Sequence, residues 1–165
     1  MKDQLAVAGN SRVINVSSMA NMKGDIDLEN INYEKDEEKT SKMTYHNSKL
    51  MNILFSKELS NRWKSIGVTS YSLHPGFVRT NIFNAFSPTM KNIITFIAFI
   101  IGKNNLQGAQ TSLLLCCEPG IEHLSGEFFV DCKVRASWMN KQALDRDLCA
   151  RLWERSQQLV NIKTN

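Results

Sequence analysis

The sequence predicts an α/β domain built on a parallel sheet, and three observations carry that prediction. Short β-branched runs alternate with helical stretches in the order strand, helix, strand, helix, strand, an order that calls for crossover helices and parallel strands. The first two strand candidates are cut off at their C-terminal ends by a Ser-Ser or a His-Pro-Gly break. The 165 residues show no internal repeat, no low-complexity tract and no sign of a second domain, so a single domain over 1–165 accounts for the chain.

Arg12-Val13-Ile14-Asn15-Val16 reads as the first, buried strand, and Ser17-Ser18 as the polar turn after it. Residues 21–43 are polar and contain Gly24, which predicts a long loop with at most one short element; loops of that length are often functional. From about Thr44 to about Lys64, Leu50, Ile53, Leu54, Leu59 and Trp63 recur at helical spacing, and Gly67 stands just past the end. Val68 to Leu73 is the second strand, broken by His74-Pro75-Gly76. Residues 77–104 are irregular. A helix from about Leu106 to Cys117 is stopped by Glu118-Pro119-Gly120, and Gly126 to Asp131 is the third strand. The tail from Lys141 to Val160 is helical, with Leu144, Leu148, Leu152 and Leu159 on one face.

The 42% hydrophobic and 22% charged content is that of a soluble globular protein. The net charge of +4 comes from scattered lysines and arginines, which read as solvated faces and argue against a nucleic-acid partner. Glu34, Asp36, Glu37 and Glu38 cluster, but Lys35 and Lys39 interleave with them, as in a surface loop. Cys116, Cys117, Cys132 and Cys149 form no CxxC pair and have no Cys/His ligand spacing, so no metal site and no redox motif is expected. Cys116 and Cys117 lie in an apolar helical run and read as reduced packing residues, which fits a reducing compartment. Residues 1–10 lack the continuous apolar core of a signal peptide. The most apolar run, Ile93 to Ile101, has about half of the roughly 20 residues that a membrane span needs. It reads either as a buried helix or as an amphipathic lid or interfacial segment at an apolar substrate entrance.

Tyr45 and Lys49 stand four apart at the start of the long helix, so their side chains share a face. A phenol titrates near pH 10 and is a poor acid or base at neutral pH, but an ammonium held beside it favours the phenolate. The pair alone is a weak signal, since exposed helix pairs give the same spacing. Ser18 adds to it: it follows a parallel strand, at the edge where open α/β sheets place ligands. Pro75-Gly76-Phe77-Val78-Arg79-Thr80 follows the next strand in the same way, with a glycine that lets backbone approach a ligand and a threonine hydroxyl.

Taken together, Ser17-Ser18, Tyr45-His46-Asn47-Ser48-Lys49 and Pro75-Gly76-Phe77-Val78-Arg79-Thr80 resemble the Ser, Tyr-x-x-x-Lys and Pro-Gly series of the short-chain dehydrogenase/reductases. The likeness is closer to the retinol dehydrogenase group. It runs through Ser11 to Ala20, Ser48 to Phe55, Gly108-Ala109-Gln110-Thr111-Ser112-Leu113, Leu124-Ser125-Gly126 and Asp131-Cys132-Lys133, and it covers nearly the whole chain from Ser11 onward. Tyr45 lies further from Ser18 than in many members, because of the polar loop between them.

The resemblance implies a Rossmann-like doubly wound sheet, of which about three strands with flanking helices are present. It implies catalytic roles for Ser18, Tyr45 and Lys49. Tyr45 would exchange the proton with the substrate oxygen, Lys49 would lower the tyrosine pKa and hold the nicotinamide ribose, and Ser18 would orient the substrate oxygen. Pro75, Gly76, Val78 and Thr80 would face the nicotinamide end of NADP or NAD, with NADP favoured in the retinol group. Residues 81–104 would be the substrate lid. That favours a lipophilic alcohol or aldehyde such as a retinoid as substrate, with peripheral membrane contact through 93–101. An oligomer is compatible with the resemblance, and association with the cytoplasmic side of the endoplasmic reticulum membrane is the expectation for a complete protein.

The 165 residues contain no Thr-Gly-x-x-x-Gly-x-Gly turn and no Asn-Asn-Ala-Gly stretch. The chain is therefore expected to be a C-terminal catalytic half lacking the glycine-rich, pyrophosphate-binding half, and inactive alone. A dinucleotide is held mainly by that turn and the helix N-terminus after it. The strand at 12–16 is expected to form an open edge. The alternative expectation is a non-catalytic product acting as a binding or regulatory partner.

Overall fold

In the computed structural model the described residues are 2–33, 41–78 and 102–160, with only the backbone described at 41 and 42. The regular elements are α1 (Lys2–Ala8), β1 (Arg12–Val16), α2 (Ser41–Trp63), β2 (Thr69–His74), α3 (Asn105–Cys117), β3 (Phe128–Val130), β4 (Lys133–Val134) and α4 (Arg146–Leu159). The strand order is β1-β2-β3-β4. β1 and β2 pair in parallel, with Val16 opposite Leu73, and β2 and β3 pair in parallel, with His74 opposite Val130. The alternation read from the sequence therefore holds, and the C-terminal ends of β1 and β2 lie side by side.

The sheet is covered on both faces. Successive strand residues point to opposite sides, so Phe128 and Val130 enter one core with Leu50, Ile53 and Leu54 of α2 and Leu148 and Leu152 of α4. Tyr71, Leu73 and Phe129 enter the other, against Leu115 of α3 and Ile121. Ser70 and Ser72 of β2 are fully buried small residues. At this level Asn15 Nδ2 donates to Ser56 Oγ at 2.8 Å, and Ser56 Oγ reaches the Tyr71 carbonyl at 3.3 Å. α2 is thus tied by side chains to the two strands it crosses.

Several expectations are corrected. The loop expected over 21–43 carries two 3-10 turns, Met19–Lys23 and Leu28–Asn30, capped by the side chains of Ser18 and Asp27. A fourth strand, β4, pairs antiparallel with β3; it is created by a two-residue turn at Asp131 and Cys132, both with positive φ. The tail is not one helix: Lys141–Leu144 is a 3-10 turn, and Asp145 caps α4 by accepting from Leu148 N at 3.1 Å. Leu144 consequently points to solvent at 65% exposure, while Leu148 and Leu152 are buried. Cys116 and Cys117 are exposed free thiols and do not pack in the core. No helix among the described residues is long and apolar enough to cross a membrane, and no group of metal-ligating side chains is found among them. The run 93–101 lies outside the described residues.

Candidate active site

The site is built where β1 ends against α2. Ser17 is buried, and its hydroxyl donates to the Lys49 carbonyl at 2.6 Å, while Ser17 N donates to the Leu73 carbonyl at 2.7 Å. One residue therefore fixes the strand end to both α2 and β2. The Val16 carbonyl, freed at the end of the strand, accepts from Lys49 Nζ at 3.3 Å and from Asn52 Nδ2 at 3.1 Å. That carbonyl holds the ammonium at the sheet edge.

Lys49 Nζ also stands 5.6 Å from the centre of the Tyr45 ring, the arrangement that their spacing on α2 predicts. Tyr45 is 44% exposed, and its hydroxyl has no hydrogen-bond partner among the described residues. Its ring lies tilted beside His46, with centroids 6.4 Å apart. Ser18 is half-buried and extended; its Oγ accepts from Ala20 N at 3.2 Å, and its carbonyl accepts from Asn21 Nδ2 at 2.8 Å. No hydrogen bond joins Ser18 to Tyr45 or Lys49 among the described residues. The three meet through Ser17 and Val16.

A second layer was not legible in the sequence. Asn21 is fully buried and links the turn after Ser18 to the C-terminal part of the chain. It donates to the Trp138 carbonyl at 3.1 Å and accepts from Asn140 N at 2.9 Å. Asn140 in turn donates to the Gly24 carbonyl at 2.6 Å. Such a network is satisfied internally and rigidifies what it surrounds. Asn52 had a legible signal, since it lies one helical turn beyond Lys49; Asn21 and Asn140 had none, because their partners are more than a hundred residues apart.

Pro75 and Gly76 follow β2, and Gly76 has φ +93°, a backbone conformation open to glycine. Val78 forms a parallel bridge with Lys103. Its side chain packs on α3, where a Cβ added to Gly108 would lie 2.5 Å from Val78 Cγ2. Arg79, Thr80 and most of the expected lid at 81–104 lie outside the described residues; within it Asn104 caps α3, accepting from Gln107 N at 2.8 Å. His74, between Leu73 and Pro75, is half-buried, with Nδ1 unpartnered among the described residues. Burial first, and then the Lys103 charge, hold its pKa below the ordinary 6.5, with Asp131 acting in the opposite direction.

No protein-family model matches the chain. Among curated proteins it is 39% identical to human retinol dehydrogenase 11 over 160 residues, 97% of this chain and 48% of that protein. It is 37% identical to human retinol dehydrogenase 12 (98% of this chain, 49% of that protein) and 36% identical to mouse retinol dehydrogenase 14 (92% and 45%). The chain spans about half the length of the curated relatives it matches. Among solved structures, a protein from Mycobacterium paratuberculosis superposes with a TM-score of 0.61 at 25% identity, over 92% of this chain and 51% of that one. An NADPH-bound carbonyl reductase from chicken fatty liver shares the fold with a TM-score of 0.51 at 19% identity, over 82% of this chain and 48% of that one.

Proposed function

Because this chain belongs to the short-chain dehydrogenase/reductase family, in its retinol dehydrogenase group, we propose that it carries the proton-relay half of an oxidoreductase acting on a lipophilic alcohol or aldehyde such as a retinoid, with NADP(H) or NAD(H). The observation that carries this reading is the Tyr45–Lys49 pair at the C-terminal edge of a parallel sheet, with the tyrosine hydroxyl unengaged among the described residues and the ammonium held by the Val16 carbonyl. The names of the relatives support the substrate class.

When bound, the nicotinamide supplies or takes up the hydride. The proton relay falls to side chains of this chain. In the reducing direction Tyr45 Oη donates its proton to the substrate oxygen, and the Lys49 ammonium stabilises the negative charge left on the phenol. Ser18 Oγ donates to the same oxygen and fixes its angle of approach. Lys49 uses one donor on Val16, which leaves others for a ribose hydroxyl. The residues present fit the nicotinamide riboside end of the cofactor: a phenol and an ammonium from α2 beside the end of β1, and a positive-φ glycine turn at the neighbouring end of β2. They do not fit its pyrophosphate end, because the 165 residues hold no glycine-rich turn.

The polypeptide by itself is therefore proposed to hold the dinucleotide weakly and to turn over poorly. The apolar run 93–101 is proposed to face the lipophilic substrate, with contact to a membrane surface on the cytoplasmic side. The test is a chimera in which the part of human retinol dehydrogenase 11 outside the matched region is joined to this chain. The chimera should reduce retinal with NADPH at a rate that depends on Tyr45. A folded chimera that is inactive, or as active with Tyr45→Phe, removes the reading.

A further inference from the structure

Lys103 is engaged on every side at the turn after β2. Its backbone N–H donates to the Phe77 carbonyl at 2.8 Å, and its ammonium contacts the Pro75 carbonyl at 3.5 Å. Between these points its stem crosses the face of Gly76: a Cβ there would lie 2.8 Å from Lys103 Cδ and 2.9 Å from Nζ. The ammonium ends in an ion pair with Asp131 Oδ1.

Stability is a poor explanation for that pair. Its side chains are 28% and 54% exposed, and exposed pairs contribute little. Asp131 is presented to Lys103 by the tight turn between β3 and β4. Asp131 and Cys132 have φ of +52° and +60°, the pair of positive values that a two-residue hairpin turn requires and that aspartate tolerates better than most residues. Thr111 of α3, buried at 1% exposure, anchors that turn: its Oγ1 accepts from Cys132 N at 3.2 Å. So anchored, the turn sets the Asp131 carboxylate against Lys103.

We propose that Lys103 and Asp131 are positioning residues for the Pro75–Gly76 turn, clamping it in the shape that receives the nicotinamide end of the cofactor. This rests on the function proposed above. Lys103 sets the turn through the Pro75 and Phe77 carbonyls and the face of Gly76. Asp131 fixes the ammonium that does so. Neither residue is placed to touch the reacting atoms.

The test uses the whole 165-residue chain as wild type, Lys103→Met, Lys103→Arg and Asp131→Asn, with two readouts. Without cofactor, the amide resonances of Gly76, Phe77 and Val78 and the titration of His74 are followed by NMR. Lys103→Met and Asp131→Asn should displace the turn amides, and Lys103→Arg should leave them near wild type. His74, flanked by both charges, should titrate higher in Lys103→Met and lower in Asp131→Asn. NADPH is then titrated into the millimolar range, where Lys103→Met should bind about tenfold more weakly, the scale of one charge-assisted hydrogen bond, and Lys103→Arg should recover most of the loss. Turn amides unmoved by Lys103→Met overturn the clamp. Displaced amides with NADPH affinity within twofold of wild type overturn its purpose. A wild-type chain that takes up no NADPH counts against the proposed function and the cofactor role together, while the amide readout still decides whether Lys103 holds the turn.

Discussion

The hydroxyl of Ser17 donates to the carbonyl of Lys49 at 2.6 Å, so the strand that ends at the site and the helix that bears the ammonium are joined one residue before Ser18. The neighbouring serines thus have separable duties. Ser17→Ala should cost about 1 kcal/mol of stability, the net worth of a buried hydrogen bond, measured by urea denaturation. Ser18→Ala should cost less stability and more rate in the chimera. Equal effects of the two substitutions on both quantities would show that the serines are only a turn.

Tyr45→Phe in the chimera should lower kcat by roughly 10²- to 10⁴-fold, the range of a lost general acid or base. Lys49→Met should lower kcat and raise the KM for NADPH together, since that side chain is assigned to both the phenol and the ribose. Steady-state kinetics on the two variants check this. A Lys49 variant altered in KM alone would leave the ammonium without a part in the proton relay.

Acid should loosen the fold through His74. Its folded pKa lies below the ordinary 6.5, first through burial and then through Lys103, so the unfolded chain binds the proton more readily. The stability contributed is fully present above about pH 6.5 and is lost as pH falls through the folded value. His74→Gln should flatten that part of the stability curve in denaturant midpoints taken from pH 7 to pH 5. A midpoint that falls equally in wild type and variant assigns the acid sensitivity to other groups.

The thiols should react unequally. Burial pushes Cys149 up to about 11, while Cys116 and Cys117 are exposed. At pH 8, mass spectrometry of iodoacetamide-treated protein should find the latter two alkylated well before Cys149. Early modification of Cys149 in folded protein would contradict its burial on the inner face of α4.

Leu54 is fully buried and Leu113 is 48% exposed. Leu54→Ala should cost about 2–5 kcal/mol, and Leu113→Ala should stay within about 0.5 kcal/mol. Urea melts of both, side by side, test which faces of α2 and α3 are buried.

Much of this architecture is legible in the chain, and the part that is not has a common cause. β1 and β2 announce themselves as short runs closed by sharp breaks, α2 through its apolar spacing, and Tyr45 and Lys49 through helical spacing. Ser18 is legible as the end of a strand. The 3-10 turns at Met19–Lys23 and Leu28–Asn30 depend on side-chain caps at Ser18 and Asp27 that a polar loop does not distinguish. β4 exists because Asp131 and Cys132 adopt the positive φ pair of a two-residue hairpin turn, which Thr111 anchors from α3; the aspartate alone is too weak a turn signal, and the anchoring contact is tertiary. Lys103 meets Pro75 and Asp131, each 28 positions away, and nothing in its own neighbourhood marks it. Pairings between distant segments are the part that sequence pattern does not encode.

The bridge between Val78 and Lys103 also bears on how such a protein can diversify. It joins two points 25 positions apart in the chain, and lengthening the segment between two joined points costs only slowly growing entropy. The intervening stretch can then be exchanged, extended or recomposed as a cassette while the strand ends and α2 keep their geometry. On the proposed function, substrate preference and proton chemistry would then be separately heritable traits, joined at one short crosspiece of backbone.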